Sequence, residues 1–110
     1  MGKISCFIHV QVSDSFVLQP TQVTMLTVIY NTGSLLQTAK QLNISYQHAW
    51  NTVTHINRVA PLPVVELRRG GQKGGGAAIT QYGAQILKDY TVIQIIIQKT
   101  VNQIETEMAM

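Results

Sequence analysis

Residues 68–76 read Arg-Arg-Gly-Gly-Gln-Lys-Gly-Gly-Gly, and they hold five of the chain's eight glycines and three of its eight basic side chains. Short apolar runs lie on both sides, Val64-Val65-Glu66-Leu67 before and Ala77-Ala78-Ile79 after. Two such runs around a glycine-rich loop predict a β-hairpin. A backbone without side chains can approach another surface closely, and Arg and Lys carry charge to it. That composition suits contact with a phosphate backbone, and equally a solvated tip with no partner. The residues around the hairpin decide between the two.

Upstream, Ile4, Cys6, Ile8, Val10 and Val12 alternate with Ser5, Phe7, His9 and Gln11. Period two predicts a strand with one buried face. Asp14-Ser15 reads as a turn and Phe16-Val17-Leu18 as a short returning strand. Pro20 suits the first turn of a helix, where its missing N–H costs nothing. Val23, Leu26, Ile29 and Tyr30 give that helix an apolar stripe, and Gly33 fits just past its end. Ser34-Leu35-Leu36-Gln37 matches a capping box at the start of a second helix. In it Leu35, Ala39 and Leu42 face inward, with Ala39 small enough for a close crossing. Asn43-Ile44-Ser45 is a tight turn, and Ser45 caps a third helix over about Tyr46 to Val59.

The third helix has the sharpest pattern. Ala49, Val53, Ile56 and Ala60 fall on one face at 3.6 residues per turn. Gln47, Asn51, Thr54 and Arg58 fall on the other with His55 beside them, while Tyr46 and Trp50 pack on a flank. Pro61 and Pro63 stop the helix. Thr80 caps a last helix reaching about Glu107. Its stripe is Tyr82, Ile86, Tyr90, Ile93, Ile97, Val101, Ile104 and Met108, with Ile95 and Ile96 as a second apolar edge. So long a stripe exceeds what one small domain can bury. The expected interface of a homodimer is therefore Ile86, Tyr90, Ile93, Ile97, Val101 and Ile104.

Charge sharpens the picture. Charged residues are only 12% of the chain, fewer than a monomer's surface normally carries. From Asn31 to Lys88 there are six basic residues against Glu66 alone, while the ends are net acidic. A basic middle points to a polyanion. The single cysteine, Cys6, excludes an internal disulfide and fits a reducing compartment. No signal peptide or membrane span is evident, so the expectation is a cytoplasmic protein. The glycine run lacks the Gly-Lys-Ser/Thr of a P-loop. His48 and His55 are two turns apart and no CxxC or HxxxH spacing occurs, so neither a metal nor a cofactor is expected. The five carboxylates form no useful pair, and an enzyme is not expected.

Two helices joined by a tight turn, the second with a polar outer face, make a helix-turn-helix, whose second helix fits the DNA major groove. Asn and Gln can pair with adenine edges and Arg with guanine. The hairpin directly after it would be a wing. The expected fold is mainly α with a small β component, a winged helix-turn-helix in a single domain spanning 1–110. It divides into an N-terminal strand region (1–18), the helix-turn-helix and wing (20–79) and a long dimerisation helix (80–108). Gln47, His48, Asn51, Thr54, His55 and Arg58 would meet bases or adjacent phosphates of double-stranded DNA. Ser34, Ser45 and Tyr46 lie at the two helix N-termini, where a phosphate could sit. Arg68, Arg69 and Lys73 would hold the backbone or minor groove, with Gly70, Gly71 and Gly74 allowing close approach.

Thr32-Gly33-Ser34, Ala39-Lys40, Ile44-Ser45-Tyr46 and Ala49-Trp50 closely resemble the N-terminal domain of the molybdate-responsive regulators of the ModE type. So does Gly70-Gly71-Gln72-Lys73-Gly74-Gly75-Gly76-Ala77, followed by Thr80-Gln81-Tyr82-Gly83. The resemblance covers about Pro20 to Ile86; LysR-type regulators look similar in architecture but lack this wing. It implies a winged-helix DNA-binding domain that dimerises through its terminal helices. Full-length members also carry C-terminal oxyanion-binding domains, which these 110 residues lack, so molybdate sensing is assigned to no residue here. Two other functions stay open, a protein-interaction module and an oxyanion-linked regulator acting with a partner chain.

Overall fold

The computed structural model describes residues 3–68 and 76–109. The elements run β1 (Val10–Ser13), β2 (Phe16–Leu18), α1 (Pro20–Thr32), α2 (Leu35–Leu42), α3 (Tyr46–Val59), β3 (Val65–Leu67), β4 (Ala77–Ile79) and α4 (Gln81–Met108). The fold is a winged helix-turn-helix with a long C-terminal helix.

Local chemistry sets each boundary. Pro20 opens α1, and the Gln22 side chain reaches back to the Gln19 N–H at 3.0 Å. Gly33 ends α1 in the left-handed region (φ 65°), with its N–H on Ile29 O at 2.8 Å. Ser34 caps α2 by accepting from Gln37 N–H at 3.1 Å. The Ser34 N–H goes to Thr32 Oγ1 at 3.3 Å, the place a capping box would give to Gln37. Asn43 closes α2 with φ 56°, a conformation that Asn tolerates better than most residues. Ser45 and Thr80 cap α3 and α4 through His48 N–H and Gly83 N–H, each at 3.0 Å.

One core gathers the elements. Phe16, Leu18, Leu26, Ile29, Leu35, Val53, Ile56, Val64 and Val65 are all essentially buried. Ala39 and Ala49 let α1, α2 and α3 approach closely. Thr38 is the one buried polar residue among those described, and its hydroxyl donates to Ser34 O at 2.8 Å. The strands form two separate antiparallel pairs. β1 pairs with β2, and β3 with β4 in the register Val65↔Ile79 and Leu67↔Ala77.

Three expectations change. Regular pairing begins at Val10, not Ile4. Residues 3–9 instead lie along α4, with Ile4 N–H donating to Glu105 Oε2 (3.1 Å) and Tyr90 Oη to Ile8 O (3.0 Å). A ladder needs a neighbouring strand, and β2 is only three residues long. Burial raises the Tyr90 phenol pKa. Its contribution to stability is therefore present below the ordinary phenol value near 10 and fades as pH rises beyond it. Tyr30 is 67% exposed, because Met25, Leu26, Val28 and Ile29 take the inward face of α1.

The third change concerns α4. Its 28 residues span about 42 Å, well past the core. Of the stripe expected to face a partner, Ile86, Tyr90 and Val101 are buried by the chain itself. Ile93 and Ile97 are half-buried, and only Ile104 is exposed. The open apolar edge is the opposite one, Val92, Ile95 and Ile96, each about half exposed. The N-terminal segment and the core have already claimed the first face.

Candidate nucleic-acid interface

Between Asp14 and Glu66 the chain has no carboxylate. Every residue of α1, α2 and α3 falls in that interval, so nothing on these helices repels a polyanion. The outward face of α3 presents Gln47, His48, Asn51, His55 and Arg58 to solvent, with Thr54 half-buried among them. From Gln47 to Arg58 the face is about 16 Å long, three helical turns.

Its side chains are ordered by each other. Gln47 Nε2 donates to Asn51 Oδ1 at 2.8 Å, an i, i+4 bond across one turn. Gln47 Oε1 and the Asn51 amide donors are left for another partner, the groups an adenine edge would meet. Thr54 Oγ1 is tied back to Asn51 O at 3.1 Å. Arg58 Nη2 lies 3.0 Å from His55 Nδ1, so a neutral His55 that accepts there holds the guanidinium over the last turn. Tyr46 stacks against Trp50 with ring centroids 6.4 Å apart and planes tilted by 31°. That pair flanks the start of α3, and Tyr46 keeps 41% of its surface exposed.

The N-termini of α2 and α3 add partial positive charge. The hydroxyls of Ser34 and Ser45 are occupied as caps, so each would meet an anion through neighbouring backbone N–H groups and not as a free donor. Lys40 is exposed in the last turn of α2. Of the wing residues, Arg68 is exposed and lies 3.8 Å from Glu66 Oε1. An ion pair so open to water contributes little and leaves Arg68 available. Arg69, Gly70, Gly71, Lys73 and Gly74 lie outside the described residues.

No family model matches the chain. Individual relatives do. ModE of Haemophilus influenzae, named as a transcriptional regulator, is 30% identical over 94 residues, 86% of this chain and 37% of that protein. The DNA-binding transcriptional dual regulator ModE of Escherichia coli is 33% identical over 91 residues, 83% and 35% of the two chains. The chain carries a ModE-type N-terminal domain. MopB of Rhodobacter capsulatus, named as a molybdenum-pterin-binding protein, is 32% identical over 87 residues, 79% of this chain and 32% of its own. The chain thus spans about a third of the length of these relatives. Among solved structures, a variant of ZitR from Lactococcus lactis superposes with a TM-score of 0.63 over 96% of this chain and 71% of its own. At 14% identity that likeness bears on the fold alone.

In this ModE-type domain the residues that carry the sequence likeness mostly build the scaffold. Gly33 supplies a left-handed turn, Ser34, Ser45 and Thr80 cap helices, and Ala49 is fully buried. The outward side chains of α3 lie between those positions. One residue with a clear task has no place in the sequence reading. Asn57 sits on the inner flank of α3, and its carboxamide bonds the root of β3. A polar residue directly after the buried Ile56 was the available signal.

Proposed function

We propose that the chain is the DNA-binding part of a cytoplasmic transcriptional regulator, bound as a homodimer to a pseudo-palindromic duplex site. The observation that carries this reading is the carboxylate-free helix-turn-helix. Its third helix turns an ordered Gln47–Asn51 pair and a braced Arg58 outward. A helix of that width fits the major groove. Arg58 and the Gln47–Asn51 pair read base edges, while Ser34, Ser45, Tyr46 and His48 lie at the ends of α2 and α3 that face the phosphates. Arg68, with Arg69 and Lys73, brings the wing to the backbone. The relatives are named as regulators, which agrees with binding and not with catalysis.

Two copies meet through the free edge of α4, Val92, Ile95 and Ile96. A two-fold dimer presents two α3 helices, which explains a palindromic target.

Selection of bound sequences from a random duplex library, followed by binding across a salt series, tests the reading. The expected result is an enriched inverted repeat and an affinity that falls steeply with salt. No binding at low salt would leave the protein-interaction reading standing. In the selected duplex, Arg58→Ala is expected to cost about 1–3 kcal/mol and to relax the preference at one base position per half-site. Parent-like binding of Arg58→Ala to every sequence in a gel-shift panel would remove α3 from the readout.

A further inference from the structure

The base of the wing is held from three sides. On the β4 side, Ala77 N–H donates to Gly33 O at 3.1 Å, the left-handed residue between α1 and α2. On the α4 side, Thr80 N–H and Thr80 Oγ1 both donate to Val64 O, at 3.0 and 3.2 Å, and the hydroxyl also reaches Pro63 O at 2.6 Å. On the α3 side stands Asn57. Its Oδ1 accepts from Val64 N–H at 2.8 Å and from Val65 N–H at 3.1 Å, while Nδ2 donates to Val65 O at 2.8 Å.

An asparagine amide has the same donor and acceptor as a peptide group. Asn57 therefore does for the first residue of β3 what an extra strand would do, pairing both its N–H and its C=O. Among the described residues, three hydrogen bonds tie α3 to the root of β3, and Asn57 makes each of them. Val53 and Ile56 share the apolar core with Val64 and Val65, and such packing is non-directional. Packing sets how closely β3 lies to α3. The amide sets its register and angle, because hydrogen bonds weaken steeply off line.

We infer that Asn57 is a positioning residue that locks the wing to α3, so that both meet a duplex in one fixed geometry. This rests on the DNA-binding reading above. A wing loosely jointed to α3 would still fold as a hairpin. Its cations would then add to affinity only after the joint had been ordered at the moment of binding, which costs entropy. Prior clamping removes that cost and makes Arg68 act together with the helix.

The test combines two measurements on Asn57→Ala and Asn57→Asp. In the free protein, amide exchange at Val64 and Val65 is expected to quicken at least tenfold in Asn57→Ala. It should quicken less in Asn57→Asp, which keeps the Oδ1 acceptor but loses the donor to Val65 O. On a duplex, Arg68→Ala is expected to weaken binding severalfold in the parent and less than twofold in the Asn57→Ala background. Gln47→Ala, which acts through the face of α3, should cost the same in both backgrounds. A general loss of folding would move the Gln47 and Arg68 effects alike, so the difference between them isolates positioning. If Asn57→Ala does not fold, Asn57→Ser carries the same cycle. Equal Arg68 effects in the two backgrounds, or unchanged exchange at Val64 and Val65, would overturn the role of Asn57 while leaving DNA binding intact. A parent that binds no duplex at low salt would overturn both.

Discussion

Replacing Gly83 by alanine should destabilise the protein by about 2 kcal/mol, seen as a fall of roughly 10 °C in the thermal midpoint. The sign is the informative part. Gly83 lies in the first turn of α4, where alanine is ordinarily the better residue by about 1 kcal/mol. Here an added Cβ would land on the carbonyl oxygen of Val64, inside van der Waals contact. It would also come within 2.9 Å of Ile79 Cγ2 and 3.1 Å of Val64 Cγ1. The Ile79 side chain can give way, but Val64 O cannot, because it is fixed by Thr80 N–H and Thr80 Oγ1. Relief therefore has to come from moving α4 away from the wing root, which breaks the cap that starts the helix. A stabilised Gly83→Ala protein in a urea or thermal melt would show that the close approach of α4 to Val64 is not maintained in solution.

The same geometry explains what could be read from the sequence and what could not. Caps and turns are local, so Pro20, Gly33, Ser45 and Thr80 fix helix ends within a few residues of themselves. The expected span of α3 is the observed one. The inward face of α3 also follows from spacing, because Ala49, Val53 and Ile56 have to share one side of a short helix. Non-local choices are different. Whether Ile4 to His9 pairs as a strand depends on how far the adjacent β2 runs, and β2 stops at Leu18 while α4, far along the chain, offers a surface instead. That choice in turn decides which side of α4 stays open. Periodicity alone finds two apolar edges on α4 and cannot say which one the N-terminus will cover.

Asn57 shows a second limit. The outward polar residues of α3 stand out because they oppose a core face. Asn57 is polar on the core side, where a side chain needs specific partners to be stable. Its partners are backbone groups of Val64 and Val65, which no composition or spacing identifies. The wing contributes a third limit of another kind. Its glycines and cations suit a close approach to a phosphate backbone, but the groups that hold its base lie elsewhere, on α3, at the α1–α2 turn and at the start of α4.

Joint substitution of Ile95→Glu and Ile96→Glu should convert the proposed dimer to monomer and, through that, weaken duplex binding by more than tenfold. Both side chains are half exposed in the single chain, so the changes should leave the fold of each subunit intact, while the melting temperature falls only by what the dimer contributed through mass action. In a two-fold dimer each is buried twice. Fully burying an exposed isoleucine contributes about 1.5–3 kcal/mol, so completing the burial of four half-exposed ones supplies about 3 kcal/mol or more before any charge is placed in the interface. Each 1.4 kcal/mol is about tenfold in the dimer's dissociation constant, so a loss of that size is about a hundredfold. The effect on DNA follows from linkage, because two half-sites on one dimer bind as an intramolecular pair and separate monomers do not. Sedimentation velocity at micromolar concentration, with and without the palindromic duplex, reads both outcomes. Ile86→Glu serves as the contrast: that residue is 7% exposed and part of the chain's own core, so its change should unfold the domain and not merely divide the dimer. A double variant at Ile95 and Ile96 that sediments as a dimer would show that the subunits meet through another surface of α4.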